Sequence, residues 1–203
     1  VRRNNDELVA TWGNLVNRAV SFAARNIGSI PAAGALTHLD HELLDRSRQA
    51  FGTVGTQLAS SRFKFAITEA MRTVSEANKY FSEQAPWKLR ESDPERMRTV
   101  LHVALQLVDD AKTLLTPFLP RSSALVHEML HAGDPGTWSD MPRIEQVDEA
   151  GAPSYPVITG TYDGAARWSS VPLRAGTPLA PPTPLFAKLD PAVVDSELAR
   201  LES

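Results

Sequence analysis

Apolar residues return at three- and four-residue steps over most of the first 131 positions, the spacing of buried helical stripes. Leu8, Trp12, Leu15, Val16, Ala19, Val20, Ala23 and Ile27 form the first stripe, and Gly28 ends it where a helix C-cap belongs. A second helix starts after Asp40, read as its N-cap, and carries Leu43, Leu44, Phe51, Val54 and Leu58. Gly52 and Gly55 weaken that helix and suggest close packing. The third helix follows Ser60 and Ser61, with Phe63, Ile67, Ala70, Met71, Val74, Ala77 and Phe81 as its core face. It ends by Ala85, because Pro86 disfavours helical geometry in the residue before it. The fourth opens on Asp93 as cap and Pro94 as first helical residue, and buries Met97, Val100, Leu101, Ala104, Leu107, Val108, Ala111 and Leu115. A short fifth helix runs from about Ser122 to His131. Five amphipathic helices with short connections predict an all-α bundle over residues 1–133.

The texture changes at Asp134. Ten of the fifteen prolines lie at or beyond Pro135, and Pro178, Pro181, Pro182 and Pro184 exclude a central strand or helix there. Yet Trp138, Val157, Ile158, Trp168, Val171, Leu173, Leu185, Phe186 and Leu189 keep the segment too apolar for a disordered tail. Residues 134–203 therefore read as an extended arm packed on the bundle, with a short hairpin around Asp163-Gly164. A terminal helix capped by Asp190-Pro191 carries Val194, Leu198 and Leu201.

Composition narrows the function classes. No run approaches the roughly 20 apolar residues that cross a bilayer, and the start has no secretory pattern. The absence of an initiator Met at Val1 reads as a piece of something longer. With no cysteine, disulfides and thiolate metal sites are excluded, which suits the cytoplasm. A net charge of −3 excludes a polybasic binder, but the distribution is uneven. Residues 62–90 carry six basic and three acidic side chains, whereas residues 132–203 carry five basic and ten acidic ones. One focused basic face is enough to steer a phosphate backbone.

The most formal motif is His127-Glu128-Met129-Leu130-His131, whose two histidines share a helical face as in zinc peptidases. A third ligand is missing: Asp134 and Thr137 stand where the extended motif has Gly and His. The expectation is two histidines on the outer face of a short helix, and no metal. His38 and His41 flank Asp40 at a helix start, and His102 falls between core positions. Asp109 and Asp110 point about 100° apart on a helix and cannot converge on one ion. No phosphate loop or nucleophile elbow is present, and no catalytic residue is assigned. The informative cluster runs from Tyr80 to Trp87: Pro86 stiffens a helix exit, so Trp87 is presented beside Lys88 and Arg90 as a plate for an unpaired base and its phosphate.

Two stretches, Trp12-Gly13-Asn14-Leu15-Val16-Asn17-Arg18 and Asn78-Lys79-Tyr80 through Ala85-Pro86-Trp87, resemble methionyl-tRNA synthetases. The ending Pro184-Leu185-Phe186-Ala187-Lys188-Leu189-Asp190 resembles the closing arm of that family. The resemblance implies a helical bundle that holds the anticodon stem-loop of tRNA(Met), splays the CAU bases and stacks the first on Trp87. It also implies base contacts from Arg25 and from position 21, where Ser21 replaces the family's asparagine. Arg18 would complete a recognition strip with them, and Arg18, Lys88 and Arg90 would attract phosphate. The ATP-dependent chemistry belongs to a catalytic domain of the same enzyme, because no His-Ile-Gly-His-like or Lys-Met-Ser-Lys-Ser-like segment occurs here. Neither DNA nor a membrane is an expected partner. The rival readings are a free-standing tRNA-binding or regulatory protein and a small zinc peptidase on His127 and His131.

Overall fold

A computed structural model describes residues 1–132, 143–147, 151, 155–159 and 168–201. Within them the chain is a bundle of helices: α1 (Asn14–Asn26), α2 (His38–Ala59), α3 (Phe63–Gln84), α4 (Pro86–Ser92), α5 (Pro94–Leu115) and α6 (Pro120–Leu130). A further helix, α7, spans Val193–Leu201. Two strands, β1 (Arg143–Val147) and β2 (Tyr155–Thr159), pair antiparallel, Glu145 standing opposite Val157. The sequence did not foretell this pair, and the hairpin expected around Asp163-Gly164 lies outside the described residues. No described helix is long and apolar enough to cross a membrane.

The centre is α5. Sixteen of its 22 residues are buried, so it is enclosed nearly all round rather than along one stripe. Its polar buried residues diverge as their 100° offset requires. Asp109 takes Lys112 Nζ at 2.6 Å, while Asp110 takes Ser47 Oγ at 2.8 Å and Gln106 Nε2 at 3.0 Å. Asp93 caps the helix through Arg96 N (2.9 Å), with Pro94 at its first turn, as the sequence predicts.

The N-cap of α2 is Thr37 and not Asp40. Thr37 and Asp40 form a reciprocal capping box, which frees the cap position to sit three residues earlier. Asp40 is instead fully buried and accepts the Tyr80 hydroxyl (2.7 Å) and both ends of the Arg96 guanidinium. Burial pushes its carboxyl up, but Arg96, Tyr80 and Thr37 outweigh that and hold it well below the usual carboxylate range.

The first stripe also needs correction. Residues Asn4–Gly13 wind as a π-helix before α1 begins. Asn78 Nδ2 donates to the Thr11 carbonyl at 2.9 Å, an oxygen that also accepts the Asn14 backbone N–H where the segment meets α1. Gly28, at φ +79°, ends α1 as expected. Phe63 is exposed, not part of the core face of α3, because the core begins one turn later at Ala66.

Residues 168–189 lie along the bundle. Leu173 is buried, and Leu179, Leu185 and Phe186 pack against the core. The backbone is tied down at Ile30–Thr177, Gly28–Leu179 and Met129–Ala180. Trp168 Nε1 donates to the Phe51 carbonyl at 2.8 Å, and an added Cβ on Gly55 would sit 2.9 Å from that nitrogen. Close packing therefore explains Gly55. It does not explain Gly52, which has open space beside it.

Candidate nucleic-acid interface

α3 stops because Ala85 takes a left-handed conformation (φ 41°, ψ 60°), unusual for a residue with a Cβ. Its N–H still bonds Phe81 O, and its own carbonyl accepts Lys88 N at 2.8 Å, so one residue closes α3 and opens α4. Pro86 is buried as the first residue of α4. The turn sends Trp87 outward, where it remains 43% exposed.

The exposed ring is supported from below and from one side. Phe81, buried in the core, meets Trp87 edge-on with centroids 5.9 Å apart. Arg18 rises from α1 with its guanidinium carbon 5.3 Å from the Phe81 ring centre and 5.5 Å from that of Trp87. Its Nη1 donates to Ser82 Oγ at 3.0 Å. Arg18, Phe81, Ser82 and Trp87 thus form one unit across α1, α3 and α4. Phe81 and Ser82 were not singled out from sequence as site residues, since a core phenylalanine and a surface serine carry no distinctive spacing.

From Arg18 and Ser82 a groove of about 330 Å³ runs back between the π-helical segment, α1 and α3. Asn14 and Asn78 are bonded across it at 3.3 Å, and Lys79 lines its rim.

The other expected contacts divide. Arg25 is exposed two turns beyond Arg18, and Lys88 and Arg90 are exposed on α4. Ser21 departs from expectation: it is 5% exposed and its hydroxyl donates to Asn17 Oδ1 at 3.2 Å. It faces the bundle, so Arg18, Ser21 and Arg25 do not make one open strip. Asn17 is exposed and offers the amide that Ser21 lacks.

The histidine motif also departs from expectation. His127 is buried, not on an outer face, and its ring stacks on His131 at 4.4 Å. His127 Nδ1 meets Lys112 Nζ (3.3 Å), and His131 Nε2 meets Asp109 Oδ1 (2.7 Å). Stacked rings bonded to α5 do not converge on an ion, and among the described residues no group of three or more His, Asp or Glu could hold a metal.

A family model described as the anticodon binding domain of methionyl tRNA ligase matches residues 30–153. Methionine–tRNA ligase of Thermobifida fusca (strain YX) is 66% identical over the whole chain, which covers 34% of that protein. Methionine–tRNA ligase of Salinispora arenicola is 58% identical over 99% of the chain, again covering 34% of the relative. The crystal structure of apo Mycobacterium tuberculosis methionyl-tRNA synthetase superposes with a TM-score of 0.74 at 28% identity, over 93% of this chain and 34% of that one. The chain therefore spans about a third of the length of the curated relatives it matches.

Proposed function

Because the chain belongs to the family of methionyl-tRNA ligase anticodon-binding domains, we propose that its Trp87 end receives the CAU anticodon loop of tRNA(Met). The observation that carries this is the half-open indole held at a fixed turn: 43% exposed, backed by Phe81, braced by Arg18. A ring so placed stacks an extruded base without first being ordered, and such stacking contributes roughly 1–3 kcal/mol per base. Arg25 supplies hydrogen bonds or a planar cation to a second base. Asn17, oriented by Ser21, supplies the amide pairing. Lys88 and Arg90 attract the phosphates of the loop.

In this reading the helical bundle carries the RNA surface, and the described residues 168–189 of the expected C-terminal arm brace it. Joining methionine to tRNA with ATP falls to the two thirds of the relatives' length that this chain does not span, working in the cytoplasm; the segment itself contributes no catalytic residue and holds no cofactor or metal.

The test is Trp87→Ala in the full-length enzyme that contains this chain. The Michaelis constant for tRNA rises by about tenfold to a hundredfold, as loss of one stacked base dictates. Methionine-dependent ATP–pyrophosphate exchange stays within about twofold of the unmodified enzyme. Equal loss of both activities would make Trp87 a folding residue and overturn the proposal.

A further inference from the structure

α1 and α3 run parallel, since Asn14 bonds Asn78 and, one turn further along both helices, Arg18 bonds Ser82. The groove between them is therefore walled by matched stripes: Thr11, Asn14 and Arg18 on one side, Ser75, Asn78 and Ser82 on the other. From Ser82 back to Ser75 it follows α3 for about two turns, roughly 10 Å at 1.5 Å per residue. Its mouth is the Arg18–Ser82 contact. Arg18 also lies against Trp87, so the groove and the aromatic plate share one side chain.

The walls are rich in donors, and no carboxylate is among the residues that line them. Asn78 is engaged within the fold, its amide nitrogen bonding the carbonyls of Thr11 and Val74. Its oxygen takes one amide hydrogen of Asn14, which leaves Asn14 a second. Ser82 Oγ accepts from Arg18 and so keeps its own proton for another acceptor. Arg18 bonds Ser82 through Nη1, and the other N–H groups of its fork stay open beside Trp87. Lys79 on the rim holds Glu83 only at 3.8 Å, with both side chains more than half exposed, a pair that a competing anion replaces readily. Donors set along a track suit phosphate oxygens, which accept from many directions.

We propose that this groove is the backbone track of the RNA strand whose base stacks on Trp87. The phosphate beside that base meets Arg18, Lys79 and the Ser82 hydroxyl at the mouth, and the chain continues towards Asn14 and Ser75. The cations of the rim, the donor-rich wall and the continuity with Trp87 through Arg18 favour this occupant. Lys88 and Arg90 stand on α4, past the turn that carries Trp87. The strand is then held on two sides of the extruded base, by the groove on one and by α4 on the other. The inference rests on the proposed reading of Trp87, since it takes the RNA in the groove to be the RNA that stacks there.

The test is the affinity of the full-length enzyme that contains this chain for tRNA(Met), measured over a range of salt, in Lys79→Gln, Ser75→Lys and Ser75→Glu variants. Both positions are exposed, so the melting temperature stays unchanged. Lys79→Gln weakens binding about fivefold and lowers the slope of log affinity against log salt by about one. Ser75→Lys raises affinity and slope by similar amounts, and Ser75→Glu lowers both. The losses are equal for tRNA(Met) and for a transcript with another anticodon, because a phosphate contact carries no sequence. Thr53→Glu, the same charge change on an exposed position of α2 away from the groove, alters nothing. Unchanged affinity and slope in the Lys79 and Ser75 variants overturn the track. So does a Ser75→Glu loss confined to the CAU transcript, which puts a base in the groove, or a Thr53→Glu loss of the same size, which reduces the effect to net charge. If Trp87→Ala still raises the tRNA Michaelis constant while the groove variants change nothing, this inference alone fails.

Discussion

The guanidinium carbon of Arg18 lies 5.5 Å from the ring centre of Trp87, and Ser82 fixes its orientation through a 3.0 Å hydrogen bond. Arg18 therefore braces the aromatic plate as well as adding charge beside it. Arg18→Ala is expected to weaken tRNA binding about tenfold, and Arg18→Lys to recover only part, since an ammonium cannot lie flat on both Phe81 and Trp87. Measuring affinity at two salt concentrations checks this: if lysine restores everything, Arg18 acts by charge alone.

Asp40 links α2, α3 and α5 through Tyr80 and Arg96, and Arg96 also donates at 2.8 Å to Oε1 of Gln84, the last residue of α3 before the Ala85 turn. Asp40→Asn strands the Arg96 guanidinium and should cost about 3 kcal/mol in urea unfolding. Tyr80→Phe removes one bond to a charged acceptor and should cost about 1–2 kcal/mol. Because the Asp40 carboxyl is held low, its contribution is present above pH 4 and disappears only in stronger acid.

Asp110 behaves in the opposite sense. Burial outweighs its bonds to Ser47 and Gln106 and pushes its carboxyl up to about 6. A raised acid favours the protonated folded form, so its contribution is full below about pH 4 and is lost as pH rises through about 6. Asp110→Asn mimics the protonated form and should flatten the fall in melting temperature across that interval. A fall of the same steepness in the variant would place the titrating group elsewhere.

The two glycines of α2 make a paired prediction. Gly52→Ala enters open space and should stabilise by about 0.5–1 kcal/mol through helix propensity. Gly55→Ala meets Trp168 Nε1 at 2.9 Å and should displace that ring from the Phe51 carbonyl, cancelling the gain. Thermal melts of the two variants, with Trp168 fluorescence as reporter, check the difference.

Helix stripes, the Asp93 cap and the stop at Ala85 were legible because each depends on residues within a few positions. So was the exposed tryptophan, since Pro86 leaves the chain little choice at that turn. Burial that depends on distant partners was not. Ser21 reads as a surface residue until its hydroxyl is seen bonded to Asn17, and Phe63 reads as core because it keeps the α3 spacing. His127 was expected outside because histidine usually is; Lys112 and Asp109, fifteen or more residues away, hold the histidine pair inside.

Asn5 and Leu189 exchange two hydrogen bonds, each 2.9 Å, across a separation of 184 residues. This non-covalent clasp turns nearly the whole chain into a loop, and loop closure over such a length carries an entropic cost that grows only slowly with size. A pull applied across the two ends loads this clasp before any helix of the bundle. Mechanical unfolding therefore begins with a small unzipping step and leaves the Trp87 surface intact until α1 and α3 separate.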